Sequence, residues 1–489
     1  MQNREKYEIF IFFFGMFLVL FSFFTNAHLL VPYDADDWSN LSFMRKAIPI
    51  WGAHNPIKIL PEDLFPLAGL IAAYIVYPLI GDYIYAVSMT SAILYSLIIC
   101  VYMYLFCWLL HTAFSLTNHM AILITALFLS LHFSLFYGKS QFVAYLFGTV
   151  NLTCLYHYAI PAIVNISLVL YFSYFDLFNN GLMNLKKRSL LFFLIYMAIF
   201  SNVLSNIILT SYIAGVLLVR LFDNKGYNSN YRQFIKANRG YIGILLVWVI
   251  ALFFEANGGR AHYIGKGFMA LPVYETFQSF IVTISHINKG VIILGLCMVG
   301  IAVYLSRKYE NIIYYKILKL YLLVSVISAS YLILVCAKAG PGYINRSDVF
   351  FSFIIWTLLI ICYSIACVVK IKPDLGVLVP CALLFFVIES GIGVQSFREN
   401  TFGNINPDIC YKIDKALIQQ IQAADNEGQT EIVLRVPKGK SKNNWPHPMY
   451  MGNDLSRTLY KHGLISKPIK VIIQPDLAIN QQYHIDVPK

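Results

Sequence analysis

The sequence predicts an α-helical polytopic membrane protein of about 11–13 transmembrane helices, followed by a small α/β module at the carboxy terminus. Three observations lead there. Of 489 residues, 58% are apolar and only 13% charged, with a mean hydropathy of +0.64, a composition that no water-exposed surface of this size carries. Apolar runs such as IFIFFFGMFLVLFSFF (9–24) and IIWTLLIICYSIACVV (354–369) recur, each long enough to cross about 30 Å of hydrocarbon as a helix. Basic residues alternate in density between successive loops. A cytosolic enzyme, a disordered tail and a disulfide scaffold are excluded.

In order, spans fall near 8–26, 65–80, 84–108, 119–137, 142–153, 156–178, 189–202, 207–222, 240–256, 289–306, 317–337, 350–370 and 374–394. That makes thirteen crossings, and merging two pairs of short spans gives eleven with the same sidedness. With the amino terminus inside, the cytoplasmic segments hold seventeen basic residues, among them Lys139, Lys186, Lys187, Arg188, Arg307, Lys308, Lys370 and Lys372. The outward loops before residue 397 hold eight: Arg45, Lys46, Lys58, Arg260, Lys266, Lys289, Lys338 and Arg346. The first span is longer than a signal-peptide core and reads as an uncleaved anchor. Residues 1–396 therefore form a transmembrane domain with an outward loop at 27–64, and residues 397–489 an outer module. In that module ICYKIDKALIQQIQAA reads as a helix, TEIVLRVP and IKVIIQPD as strands, and 453–462 as a second helix.

The net charge of +12 is spread by membrane side and not interleaved with aromatics on one soluble surface, so nucleic acid is not an expected partner. Nine cysteines, eight of them in apolar stretches and Cys410 alone outside, offer no CxxC spacing and no disulfide framework.

Ionisable residues beside hydrocarbon are costly, so their clustering marks candidate chemistry. The first outward loop carries YDADDW at 33–38. A carboxylate there can take a proton from an attacking hydroxyl, and crowding by like charge strengthens one of them as a base. In a helix Asp36 and Asp37 diverge by roughly 100°, so only one aims at a reacting group; in a strand Asp34, Asp36 and Trp38 share a face. A solvated loop or a helix cap is the plain alternative. Glu62 and Asp63, after Pro61, fit a helix start. Scarce outward cations form the second clue: Arg260 and Lys266 in NGGRAHYIGKG, and Arg346 in GPGYINRSDVFF, can hold an anionic phosphate, although Arg346 also has Asp348 within reach. His262 and Tyr263 share the first of these loops. The tracts KGKSKNNW and HPMYMGND offer Trp445, His447 and Tyr450 to a polysaccharide, in a stretch that otherwise reads as a surface turn.

An acidic pair in the first outward loop, short broken spans behind it and an outer carboxy-terminal module resemble the GT-C superfamily of membrane glycosyltransferases. Within it, DADDW followed by PIKILPEDLFPLAGLIAAYIVYPLIGDYI is most similar to the serotype-converting O-antigen glucosyltransferases of bacteria and their phages, chiefly over the first hundred residues. The resemblance implies a GT-C-like transmembrane catalytic domain in the bacterial inner membrane, with its site facing the periplasm. It implies transfer of glucose from undecaprenyl-phosphate-glucose to lipid-linked O-antigen of lipopolysaccharide. Asp36 or Asp37 would be the general base; Arg346, Arg260 and Lys266 would hold the donor phosphate, with Asp34, Trp38, Glu62 and His262 as further site candidates. A divalent metal, Mg or Mn, is compatible with the family and not required by it. Partners would be the two lipid-linked substrates and membrane lipid, with a donor synthase and a small flippase acting upstream. A flippase of lipid-linked sugars and an O-antigen polymerase are the rival readings.

Overall fold

The computed structural model describes residues 2–136, 145–177, 185–222, 231–260, 270–390, 397 and 405–486. The chain is a polytopic helical membrane protein with a two-stranded module at its carboxy terminus. Its bundle begins with α1 (Gln2–Ser22), carried by a π-turn to Ala27. After a short α2 (Ala35–Leu41) and α3 (Ile59–Ile71), extended by further turns to Ile80, come α4 (Tyr83–Ala113), α5 (Asn118–Ser134) and α6 (Leu152–Asp176). Then follow α7 (Leu185–Ile199), α8 (Ile207–Phe222), α9 (Tyr231–Ala256) and α10 (Ala270–Ser285). The bundle closes with α11 (Lys289–Lys308), α12 (Ile312–Ala339), α13 (Ser347–Ile371) and α14 (Leu378–Ser390). Long apolar runs make these helices, with charges kept mostly to their ends, because hydrocarbon leaves no other partner for the backbone. Side chains at their starts supply what the first turn lacks: Asp82 accepts from the Tyr85 N–H, Asn288 from Gly290 and Asn311 from Tyr314. Helix α13 is buried along most of its length and forms the axis of the bundle.

Hydrogen bonds define one end of the bundle. Phe200, after α7, accepts from the Ile59 N–H; Leu135, after α5, accepts from Asn288 before α11; and Asn151, before α6, bonds Asp34 in the first loop. The opposite end gathers Lys186, Lys187, Arg188, Arg220, Arg232, Lys236, Arg239, Arg307, Lys308, Lys370 and Lys372. These are among the residues that charge sorting assigns to one side; Lys139 and Lys225 lie outside the described residues.

Three elements differ from the sequence expectation. Residues 59–80 are apolar enough to cross a membrane, yet both termini of this stretch lie at the loop end: Ile59 meets Phe200, and Tyr74 donates to the carbonyl of Lys461 in the carboxy-terminal module. Gly81, in the left-handed region at φ +71°, then turns the chain straight into α4. Leu67, Leu70, Ile71, Tyr74, Ile75 and Leu79 form one exposed apolar face, as a helix lying along an interface requires. The expected span at 142–153 is not a helix where it is described: residues 145–151 are turns and coil at the loop end, and the helix begins at Leu152. Helix α10, absent from the expected spans, also lies at this end, with Thr283 donating to Asn345 at 3.0 Å and Leu271, Tyr274, Phe277 and Ile281 exposed. Removing two crossings from thirteen leaves eleven among the described residues, namely α1, α4 to α9 and α11 to α14, and the first loop and the module still share one end.

The module comprises α15 (Pro407–Asn426), β1 (Glu431–Pro437), α16 (Met451–Lys461), β2 (Lys470–Asp476) and α17 (Leu477–Gln482), with β1 and β2 parallel and Glu431 opposite Lys470. Hydrogen bonds fasten it to the bundle and the first loop, among them those of Tyr83 with His462 (2.6 Å) and of the Ala35 N–H with the Pro446 carbonyl. Asp82 accepts from Lys415 (2.6 Å) and Tyr411 (2.5 Å), while Thr458 donates to the carbonyl of Trp38 and bonds the Ser42 hydroxyl. Helix α16 therefore runs beside α2.

Candidate functional site

The first loop is drawn over the bundle by a clasp with the end of α9. Gly259 and Arg260 donate their N–H groups to the carbonyls of Ala53 and His54 at 2.9 and 3.1 Å. A Cβ on Gly258 would stand 2.6 Å from the Pro56 ring, so the NGGR sequence permits an approach that a side chain would block. Glu62 lines the cavity described below and also holds this loop: it accepts from Arg45 (2.9 Å) and Asn55 (2.7 Å), and Arg45 also donates to the carbonyls of Ile48 and Pro56.

Within YDADDW the three carboxylates have separate tasks. Asp34 is the amino-terminal cap of α2, its Oδ1 accepting from the Asp37 N–H (3.1 Å), and its Oδ2 accepts from Asn151. Asn151 in turn caps α6 through Cys154 (2.6 Å). Asp37 completes the exchange by accepting from the N–H groups of Thr153 (2.6 Å) and Tyr33 (3.1 Å). The starts of α2 and α6 are thus locked to each other through buried carboxylates. Because α2 is a helix, Asp36 is turned away from this lock and is exposed to a cavity of about 570 Å³. No described residue donates a hydrogen bond to its carboxylate. Burial raises its pKa above the ordinary 3.8, while Arg260, Lys58 and His54 act in the opposite direction. Asp34 is also raised, first by burial and then by the Asp37 and Asp36 charges, and Asp37 is raised by burial against the lowering effect of its hydrogen bonds from Thr153 and Tyr33. Trp38 is fully buried and does not line the cavity.

Cations form the opposite wall. Arg260 reaches the cavity and donates to the Tyr343 hydroxyl at 3.4 Å. Arg346 lines it too, paired to Asp348 through two hydrogen bonds of 3.1 and 2.6 Å and lying 4.3 Å over the Tyr158 ring. Lys58 is a residue that sequence reasoning counted only among the outward bases. It is buried at the head of α3, and burial, then the Arg260 charge, lower its pKa to about 8. Its place in PIKILPEDL, three residues before PED, was the available signal. Lys266 and His262 lie outside the described residues.

Beyond these cations a second cavity of about 370 Å³ runs between α9 and α12. Its walls are mostly apolar, including Leu204, Leu252, Leu334 and Val335, with Asn202, Glu255 and Lys338 also in the lining, and Leu334 is 46% exposed. Lys58, Tyr158, Arg260 and Tyr343 line both cavities, so the two meet at the cations. Among the described residues no group of three or more His, Cys, Asp or Glu side chains is arranged to hold a metal ion. Asp34 and Asp37 give their oxygens to helix starts, a donor set that does not suit Mg or Mn. No protein-family model, curated protein or solved structure matches the chain.

Proposed function

We propose that the protein is a membrane glycosyltransferase that moves a sugar from a polyprenyl-phosphate donor to a hydroxyl of a lipid-linked glycan. The observation that carries this reading is the junction: an apolar groove open toward lipid ends at Lys58 and Arg260, and Asp36 faces the polar cavity beyond them. A polyprenyl chain suits the groove, its phosphate the cations and its sugar the polar cavity. Asp36 takes the proton of the acceptor hydroxyl as its oxygen attacks the anomeric carbon. The bond from that carbon to the phosphate oxygen breaks, and the phosphate leaves with its charge met by Lys58 and Arg260. Arg346, held by Asp348, braces Tyr158 and adds positive potential. A single open carboxylate fits one direct displacement without a covalent sugar intermediate.

Undecaprenyl-phosphate-glucose as donor, O-antigen as acceptor and a periplasm-facing site in a bacterial inner membrane follow from the resemblance of DADDW and the segment after it. The concentration of basic residues at the opposite end of the bundle supports the orientation. Purified protein in nanodiscs, given radiolabelled undecaprenyl-phosphate-glucose and lipid-linked O-antigen, is expected to label the acceptor, and Arg260→Gln to raise the donor KM about tenfold or more. Donor translocation without label transfer would instead identify a flippase.

A further inference from the structure

The Asp36 cavity has a side that the donor reading leaves unused. Across its mouth from the cations run α2 and α16, held side by side by the bonds from Thr458 to Trp38 and from Lys461 to the Ser42 carbonyl. On α2 Asp36 and Asn40 stand one turn apart, with Phe43 in the coil just past the helix end, and at the start of α16 Tyr450, Asp454 and Arg457 fall at i, i+4 and i+7, the spacing of one helix face. Asn40, Phe43 and Arg457 line the cavity with Asp36. Tyr450 and Phe43 are each 51% exposed, which is unusual for rings on an end of the molecule that faces water. The Asp36 charge raises the pKa of both Tyr450 and Asp454, in each case after burial, so both stand within its electrostatic reach. Asp454 and Arg457 pair at 2.8 Å, and the Arg457 Nε is buried without an acceptor.

We propose that α16 and α2 together form the acceptor subsite, a mouth for an uncharged, hydroxyl-rich saccharide. Phe43 and Tyr450 offer flat apolar faces to the C–H side of a sugar ring. The Asp454 and Arg457 pair offers an acceptor and several donors in a fixed arrangement, matched to neighbouring hydroxyls. Because the two charges cancel, the pair does not select an acidic sugar. The carboxy-terminal module is then the part that presents the attacking hydroxyl to Asp36, with the donor on the far wall. This inference rests on the glycosyl-transfer reading for its direction, and its test is separable from that reading.

Saturation-transfer NMR on the full-length protein in nanodiscs, with lipid-free uncharged O polysaccharide as probe and polygalacturonate as the acidic control, measures the subsite without turnover. The uncharged polymer is expected to bind wild type. Its signal should fall roughly fivefold or more in Tyr450→Ala and Arg457→Gln, whose side chains are partly exposed and whose melting should match wild type. Absence of binding to wild type, undiminished binding to both α16 variants, or preference for polygalacturonate would overturn the inference. Binding that follows the α16 variants in a protein that transfers no sugar would sustain it and remove the glycosyltransferase reading. Transfer with unchanged acceptor KM in both variants would do the reverse.

Discussion

The two ends of the bundle each set an acid among basic and aromatic groups, but they treat it differently. At the basic end Asp176 is saturated: Arg220 donates at 2.7 Å, Tyr212 at 2.9 Å, and Tyr241 lies 2.7 Å from both carboxylate oxygens. This knot ties α6, α8 and α9 together. At the loop end Asp36 and Lys58 face the cavities, and Glu255 Oε2 is buried without a partner. A saturated carboxylate holds helices in place; one left open above a cation-lined cavity is available to a substrate.

Neutralising the saturated acid should affect the fold most. Asp176→Asn is expected to cost roughly 2–3 kcal/mol, less than a fully buried pair because Arg220 is 38% exposed, and to leave turnover per folded molecule unchanged. Denaturation curves with active-site titration check both halves. A lost turnover with intact stability would erase the contrast between the ends.

Lys58→Gln should weaken donor binding about tenfold while leaving melting close to wild type. Lys58 holds phosphate only when protonated, and its pKa lies near 8, so kcat/KM should decline as pH rises through about 8 and this limb should vanish in the variant. On the acid side kcat/KM should fall as pH drops through a value above 3.8, where Asp36 takes up its proton.

A smaller effect concerns the module. Asp414 on α15 is fully buried, with both oxygens unpartnered, and its pKa is raised by burial and then by Asp37 and Asp34. A carboxyl whose folded pKa exceeds the unfolded value favours the folded state at low pH, and that contribution is lost as pH climbs through the raised value. Asp414→Asn should therefore raise the melting temperature at pH 7 by about 2 °C or more, with the gain shrinking toward pH 4. A gain independent of pH would point to packing instead.

Much of this arrangement was legible in the residues. Hydropathy located the long helices, and the imbalance of bases separated the two ends, because charge and apolar length act directly on membrane insertion. The stretch 59–80 was not legible as a surface helix: its most apolar 18 residues have a mean hydropathy of 1.7, above the 1.6 of the crossing Leu152–Asp176, and only contacts at both its ends reveal that it lies flat. Helix α10 escaped for the opposite reason, since Glu275 and Gln278 dilute an apolar stripe that periodicity could have detected. YDADDW was visible as a cluster, but the division of labour within it depends on Asn151 and Thr153, more than a hundred residues away. Those two sit in an uncharged stretch that reads as membrane span.

Asp36→Asn in nanodiscs, with donor binding and single-turnover transfer measured on the same preparation, tests the proposed chemistry most directly. Undecaprenyl-phosphate-glucose should bind within about threefold of wild type while transfer slows by about 10²–10⁴. Transfer at the wild-type rate, with the donor still bound, would contradict the assignment of Asp36 as the base.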